Sequence, residues 1–367
     1  PMSLLPIRQI FTGFFPSNIE DMTVSSVRIA PPSAVKEAAP ARLVDRFGRI
    51  ARDLRISLTD RCNLRCSYCM PPEGLEWLPT EDTLSDEEVV RLARIGVELL
   101  GIRDLRFTGG EPLLRRGLED IIAQCAVLTT DEGRRPGIAL TTNALGLDKR
   151  AHSLAKAGLD RVNVSLDTLD PQHYAQITRR DRLRDVLTGL DAAAKAGLRP
   201  IKVNAVVLRG INDADLPDLL DFCLDRGIEL RIIEQMPIGP PNTWDRQKIL
   251  TRDDILHLLS TRHILSPLDR VDLHSPTRSW SVDGDPQRLV GIIASVSEPF
   301  CQACDRTRLT SDGMIRSCLF STEEKDLRTL LRSGATDEQI GEAWCEAMWV
   351  KPLAHGLDTD AFATPSR

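Results

Sequence analysis

No run of about 18 apolar residues occurs in the 367-residue sequence, so nothing in it reads as a membrane-spanning helix. Basic excess is also missing. Forty-seven Lys and Arg face 53 Asp and Glu, a formal net charge of −6, which argues against a nucleic-acid surface. That balance leaves room for a small anion, because a local cluster of Arg and Lys can hold one within an acidic protein. Residues 1–42 contain neither a signal-peptide hydrophobic region nor an Arg-rich amphipathic presequence, and they show no helical or strand period. They read as a disordered leader, with Met22 a candidate for the true start of translation. The expected location is cytoplasmic. Without an export signal a disulfide framework is out of place for the nine cysteines, and metal binding is the better use for them.

What is present is a repeating α/β rhythm. Short apolar segments read as strands over Asp53–Leu58, Asp104–Thr108, Gly137–Asn143, Arg161–Leu166, Pro200–Val207 and Glu229–Gln235. Helical patterns lie between them, among others over Asp86–Leu100, Gly117–Leu128, Arg182–Ala196 and Leu216–Arg226. Six βα units with short connections imply a parallel sheet with right-handed crossovers, fewer units than a complete barrel has. The expected fold is α/β, an open partial (β/α)6 TIM-type barrel over residues 43–260; a doubly wound flat sheet is the alternative. Beyond residue 260 the rhythm stops. Ser281–Leu309 reads as two or three antiparallel strands, and Glu323–Arg332 and Asp337–Met348 as helices. Residues 261–367 are therefore expected to form a smaller C-terminal module closing the open side.

Alternate residues of a strand point to opposite faces. Arg55 and Ser57 share one face of the first strand, and Leu54, Ile56 and Leu58 the other. The same split sets Arg106 and Thr108 against Leu105 and Phe107, and recurs with Thr141 and Asn143, Asn163 and Ser165, and Lys202 and Asn204. Helices should cover the apolar side, so the polar phase predicts a wet lumen that takes a charged ligand. A sheet with one solvated face is the other reading of the same pattern.

Six cysteines fall into two groups. Cys62-x3-Cys66-x2-Cys69 follows the first strand, at the end where barrel active sites assemble. Three thiolates suit a [4Fe–4S] cluster with one iron lacking a protein ligand. Such an iron is open to an amine and a carboxylate, which the methionyl end of S-adenosylmethionine carries. Structural zinc, the alternative, needs four closed ligands, and no fourth lies near. Cys301-x2-Cys304-x13-Cys318 again brings three cysteines, and a second such cluster follows by the same logic. A zinc ribbon completed by Cys345, or a redox Cys-x-x-Cys, are the competing uses.

The run Cys62-Asn63-Leu64-Arg65-Cys66-Ser67-Tyr68-Cys69 resembles the signature of the radical S-adenosylmethionine superfamily. Thr108-Gly109-Gly110-Glu111-Pro112, at the end of the second strand, is similar to the motif by which those enzymes hold the methionyl amine. Phe300–Leu309 with Ser317-Cys318-Leu319-Phe320 resembles one family in particular, GTP 3′,8-cyclase, which begins molybdenum cofactor synthesis. Ordered matches extend from about Val44 to Pro352, among them Asp53-Leu54-Arg55, Leu140-Thr141-Thr142-Asn143, Asn163-Val164-Ser165-Leu166-Asp167, Lys202-Val203-Asn204 and Arg231-Ile232-Ile233-Glu234.

The resemblance implies two [4Fe–4S] clusters and S-adenosylmethionine as cofactors, with Tyr68, Gly110, Ser165 and Met236 matching the family's contacts to the latter. It implies GTP as substrate, held by Arg55, Arg106, Thr141, Lys202, Arg306 and Arg308; Arg231 also matches, nearer the cofactors. Several of these are the polar-phase residues already identified by alternation. The implied reaction is removal of the C3′ hydrogen of GTP by a 5′-deoxyadenosyl radical, attack of C3′ on C8, and reduction to 3′,8-cyclo-7,8-dihydro-GTP. The second cluster's open iron would hold the purine. Implied partners are an electron donor of unknown identity, a downstream cyclic pyranopterin monophosphate synthase and a second copy of the chain. The family's terminal Gly-Gly pair, which reaches the active site, has no counterpart at Pro365-Ser366-Arg367. Two other functions fit parts of the pattern: a peptide-modifying radical enzyme, which usually carries more C-terminal cysteines, and a non-catalytic iron–sulfur or zinc protein.

Overall fold

A computed structural model describes residues 42–240 and 244–357. The leader and the chain's end lie outside the described residues. The strands are β1 (Asp53–Ser57), β2 (Asp104–Thr108), β3 (Gly137–Thr142), β4 (Arg161–Ser165), β5 (Ile201–Val207), β6 (Glu229–Glu234), β7 (Leu265–Pro267), β8 (Arg278–Val282), β9 (Asp285–Ile293), β10 (Arg306–Leu309), β11 (Met314–Arg316) and β12 (Lys325–Asp326). The helices are α1 (Asp86–Arg94), α2 (Leu118–Cys125), α3 (Leu147–Ala157), α4 (Pro171–Thr178), α5 (Leu183–Lys195), α6 (Leu216–Asp225), α7 (Arg252–Leu259), α8 (Leu327–Arg332) and α9 (Asp337–Trp349).

Local sequence explains where these elements start. In α1, Ser85 accepts from the Glu88 N–H while the Glu88 carboxylate accepts from the Ser85 N–H, a capping box; Val89, Leu92 and Ala93 then turn one face inward. The helical stretch expected to Leu100 loosens into a π turn over Ile95–Leu99. Gly96 lies there against Trp344 of α9, where an added Cβ would come within 3.3 Å of the indole. α4 opens with Asp170 capping two N–H groups and Pro171 in the first turn. The helix expected from Glu323 starts later, at Leu327, because Asp326 accepts from the Thr329 N–H as its cap and Lys325–Asp326 pair as β12.

β1 to β6 run parallel in sequence order. Their apolar phase, including Leu54, Ile56, Leu105, Phe107, Val162, Val164, Val203, Ala205, Leu230 and Ile232, is fully buried in the main core with the helices. The region expected as antiparallel strands divides its pairing. β8 and β9 do form an antiparallel hairpin, but β9 also pairs parallel with β6, and β10 pairs parallel with β1. Eight parallel strands thus stand in the order β10-β1-β2-β3-β4-β5-β6-β9, within one 12-stranded sheet. Side chains from all eight line a single cavity. A flat sheet could not aim Arg55 and Arg231 at the same space, so the sheet is curled into the open partial barrel.

Candidate active site

The lumen is a cavity of about 530 Å³. The polar phase of the strands faces it: Arg55, Arg106, Thr108, Thr141, Asn163, Lys202 and Asn204, with Arg306 and Arg308 from β10. All six residues matched to GTP contacts are therefore together. Seven cationic side chains line it, once Arg161 and Arg231 are counted, against four carboxylates.

These charges are paired along the barrel floor. Asp53 lies 3.8 Å from Arg55 and 3.6 Å from Arg106. Glu229 holds both Lys202 at 2.7 Å and Arg231 at 2.6 Å, and Asp104 holds Arg161 at 2.7 Å. The pairing is incomplete. Nε of Arg55, Nε of Arg106 and Oδ1 of Asn204 are buried without a hydrogen-bond partner, a costly condition that a polar ligand would relieve. Burial, and then the neighbouring guanidinium groups, lower the Arg55 pKa well below its ordinary value despite Asp53. Lys202 is lowered as well, by burial and Arg231, with Glu229 opposing.

The two cysteine groups sit at opposite ends of β1. Cys62, Cys66 and Cys69 follow its carboxyl end on a loop tied down by Arg65 N–H to Thr178 O and Ser67 N–H to Ile177 O. Arg179 adds hydrogen bonds to Arg65 O and Met70 O. The Gly-Gly-Glu turn clamps the same loop from β2: Gly110 N–H donates to Thr59 O and Glu111 N–H to Arg61 O, both 2.7 Å. An added Cβ on Gly110 would run into Arg61 O and stand 2.5 Å from Asp60 O, so only glycine allows this approach. The carbonyl is then what Gly110 can offer a ligand.

Glu111 does not reach outward. Its buried carboxylate accepts from Leu113 N–H, the Thr142 hydroxyl and Asn143 N–H, joining the turn to the end of β3. Burial raises its pKa to about 7 against those hydrogen bonds. Tyr68 likewise turns inward, its hydroxyl 2.9 Å from Asp167 Oδ2. Burial lifts Asp167 to about 6, opposed by Val206 N–H and by Tyr68. Ser165 ends β4 on the polar phase, opposite Asn204. Met236 lines the cavity and packs on Ile249, Val296 and Leu357.

The second group lies beyond the other end of β1, whose Arg52 and Asp53 N–H groups donate to Asp305 O. Arg49 donates to Cys301 O at 2.6 Å, and His274 Nδ1 lies 2.8 Å from Ala303 O. Lys351 donates to Cys304 O at 3.0 Å, to Arg306 O at 2.8 Å and toward Cys304 Sγ at 3.5 Å. Burial raises the thiols of Cys62, Cys66 and Cys301. At Cys304 burial also acts upward, but Lys351 and Arg306 outweigh it and the thiol is lowered.

None of the six cysteines forms a disulfide among the described residues, and all are half-buried. Within each group the thiols are near enough to act on a neighbour: Cys69 on Cys62, Cys62 and Cys69 on Cys66, and Cys304 and Cys318 on Cys301. Among the described residues no three Cys, His, Asp or Glu close on a single metal ion. A cubane spreads its thiolates round a body of iron and sulfide and needs no such closure. The donor sets therefore fit two three-cysteine clusters.

Arg161, Arg231 and Glu229 line or back the lumen on the phase that alternation marks, so counting every second residue of β4 and β6 would reach them. Asp53 begins β1 on that same phase. Lys351, beyond α9, carries no such signal.

The Radical SAM superfamily model matches residues 56–223, and the Molybdenum Cofactor Synthesis C model residues 228–357. A GTP 3′,8-cyclase of Corynebacterium glutamicum is 57% identical over 329 residues, 89% of this chain and 87% of its own length. That of Mycobacterium marinum is 55% identical over 340 residues, 91% of this chain and 93% of its own. In fold alone, SuiB of Streptococcus suis solved with S-adenosylmethionine is similar, at 16% identity and a TM-score of 0.52 over 84% of this chain and 68% of that one. With relatives this similar over nearly its whole length, the chain belongs to the GTP 3′,8-cyclase family.

Proposed function

We propose that the lumen between the two cysteine groups is where this chain binds GTP and cyclises it to 3′,8-cyclo-7,8-dihydro-GTP. The observation that carries this is the cavity's incompletely satisfied cationic lining: Arg55 and Arg106 share Asp53 at 3.8 and 3.6 Å, yet both keep a buried Nε without a hydrogen-bond partner. Phosphate oxygens accept from several guanidinium N–H groups at once, and Arg is the side chain best shaped to supply them.

Cys62, Cys66 and Cys69 would hold one cluster, with the Gly110 carbonyl, Ser165 and Met236 set to orient S-adenosylmethionine beside it. When bound, that pair supplies one-electron reductive cleavage of the sulfonium, and hence the radical chemistry. Tyr68 and Asp167 brace the loop. Cys301, Cys304 and Cys318 would hold the second cluster at the far end of β1, about 13 Å of strand away. Arg55, Arg106, Thr141, Lys202, Arg306 and Arg308 orient the nucleotide between them, a restraint that can lower a barrier by several kcal/mol. An electron donor, a downstream cyclic pyranopterin monophosphate synthase, a dimeric state and a cytoplasmic location belong to the same proposal. Among the described residues no helix is long and apolar enough to cross a membrane.

The test is anaerobic reconstitution followed by assay of 5′-deoxyadenosine with and without GTP. Coupled formation of 5′-deoxyadenosine and a cyclised nucleotide is expected. Cleavage of S-adenosylmethionine that never yields a GTP-derived product would sink the reading.

A further inference from the structure

Lys351 is a buried ammonium, 2% exposed, between Val350 and Pro352 just after α9. Its nitrogen reaches Cys304 O, Arg306 O and Cys304 Sγ, at 3.0, 2.8 and 3.5 Å. Among the described residues no carboxylate pairs with it, although the chain forms many ion pairs elsewhere. Burying a charge without a counter-charge is expensive, and the side-chain atom that Lys351 reaches is the Cys304 sulfur, where a bound cluster would bring negative charge. Arg49 makes the contrast. It also touches the second cysteine group, but through the Cys301 carbonyl, and its charge is met by Asp45 at 2.5 Å. Arg49 fixes the loop's shape; Lys351 places an unpaired positive charge against a sulfur.

We infer that Lys351 is a positioning residue for the second cluster: its fixed charge, held 3.5 Å from the Cys304 sulfur, favours the cluster's reduced form. The inference rests on the reading that Cys301, Cys304 and Cys318 hold a [4Fe–4S] cluster. Adding one electron makes the cluster and its thiolates more negative, so an adjacent ammonium stabilises the reduced state. Charge and hydrogen bonds at the sulfurs are among the factors that set such potentials. The backbone bonds to Cys304 and Arg306 lock the ammonium in place, because they use its other donors. They also join the cluster loop to the segment following α9.

The test uses the full-length, anaerobically reconstituted holoenzyme and its Lys351→Met, Lys351→Gln and Lys351→Arg variants. Iron is counted, and each cluster is titrated reductively with dithionite under EPR, the first cluster being identified by its response to S-adenosylmethionine. The expected result is about eight irons in wild type and Lys351→Arg. In Lys351→Met and Lys351→Gln the second cluster should become at least tenfold harder to reduce, a fall of about 59 mV for one electron. The first cluster's potential should stay put. If Lys351→Met loses the second cluster altogether, Lys351→Gln decides: iron retained at a lowered potential supports the charge role, and iron retained at the wild-type potential overturns it. Loss of the cluster in Met and Gln with retention in Arg also supports it, whereas loss in all three reduces Lys351 to a shape-filling residue and overturns it. Wild type holding only the first cluster would fail the cluster assignment itself, a result distinct from an unchanged potential in a two-cluster protein.

Discussion

Asp53 on β1 stands in register with Arg306 on β10, and its carboxylate is within ion-pair distance of Arg55 and Arg106, with the charges of Arg306 and Arg308 acting on it from further off. Burial works to raise the Asp53 pKa, yet the four cations outweigh it and hold the carboxyl below its ordinary value. Asp53→Asn removes that anion and leaves the guanidinium cluster uncompensated. Without nucleotide the variant should be less stable by roughly 3 kcal/mol, the lower range for breaking a buried pair. Since a triphosphate would restore negative charge, GTP should raise the melting temperature of Asp53→Asn more than that of wild type. Anaerobic thermal denaturation with and without GTP measures both, and equal shifts would place the triphosphate away from this cluster.

Arg306 itself is buried, donates to His274 O and lies 5.0 Å over the Phe300 ring. Losing one charge-assisted contact should weaken GTP binding in Arg306→Ala by roughly 1.5–3 kcal/mol, or about 10- to 150-fold. Arg306→Lys should recover only part, because an ammonium lacks the guanidinium fork and stacks less well. Anaerobic GTP titration decides this, and equal affinity in all three proteins counts against the site.

Gly110→Ala tests the clamp between the Gly-Gly-Glu turn and the first cysteine loop. The new methyl meets backbone, not a side chain that could swing aside. Overpacking of this kind costs roughly 1–3 kcal/mol. Because the displaced loop leads into Cys62, iron should fall from about eight to about four per chain, with the second cluster retained. A variant that reconstitutes fully would mean that the loop adjusts freely.

Glu111 predicts a pH dependence. Its folded value of about 7 lies above the ordinary 4.5, so the native state favours the protonated form. The stability it contributes is complete below pH 4.5 and is lost as pH rises through about 7. Inside that window the apoprotein should gain about 1.4 kcal/mol per unit of acidification relative to Glu111→Gln, which has no titrating group there. Urea unfolding of both proteins at several pH values supplies the comparison. A constant difference between them would show that Glu111 stays ionised when folded.

Much of this site was legible as a pattern of two. Arg55, Arg106, Thr141, Asn163 and Lys202 declare a polar face because strand side chains alternate whatever the tertiary context. The cysteine spacings declare themselves because thiolates have few other uses at such density. Other features depend on partners far away in sequence. Nothing in Arg306–Leu309, four residues with two arginines, announces a strand beside β1; its pairing is set by the register of Arg308 with Arg55. Glu111 was marked by its motif, but the inward turn of its carboxylate follows from Thr142 and Asn143 on another strand. Lys351 had no pattern to betray it, since a single lysine between Val350 and Pro352 reads as surface.

The two strands flanking the six-strand core, β9 and β10, come from the last third of the chain, although they lie against β6 and β1. During synthesis the six core strands leave the ribosome first. Until residues 285–309 emerge, both outer edges of that nascent sheet carry unpaired backbone N–H and C=O groups, and open edges of this kind invite pairing with other chains. A product terminated before β9 would therefore aggregate instead of accumulating as a smaller soluble domain. Completion of the protein as a non-sticky particle waits on the same late segment that carries Cys301 and Cys304.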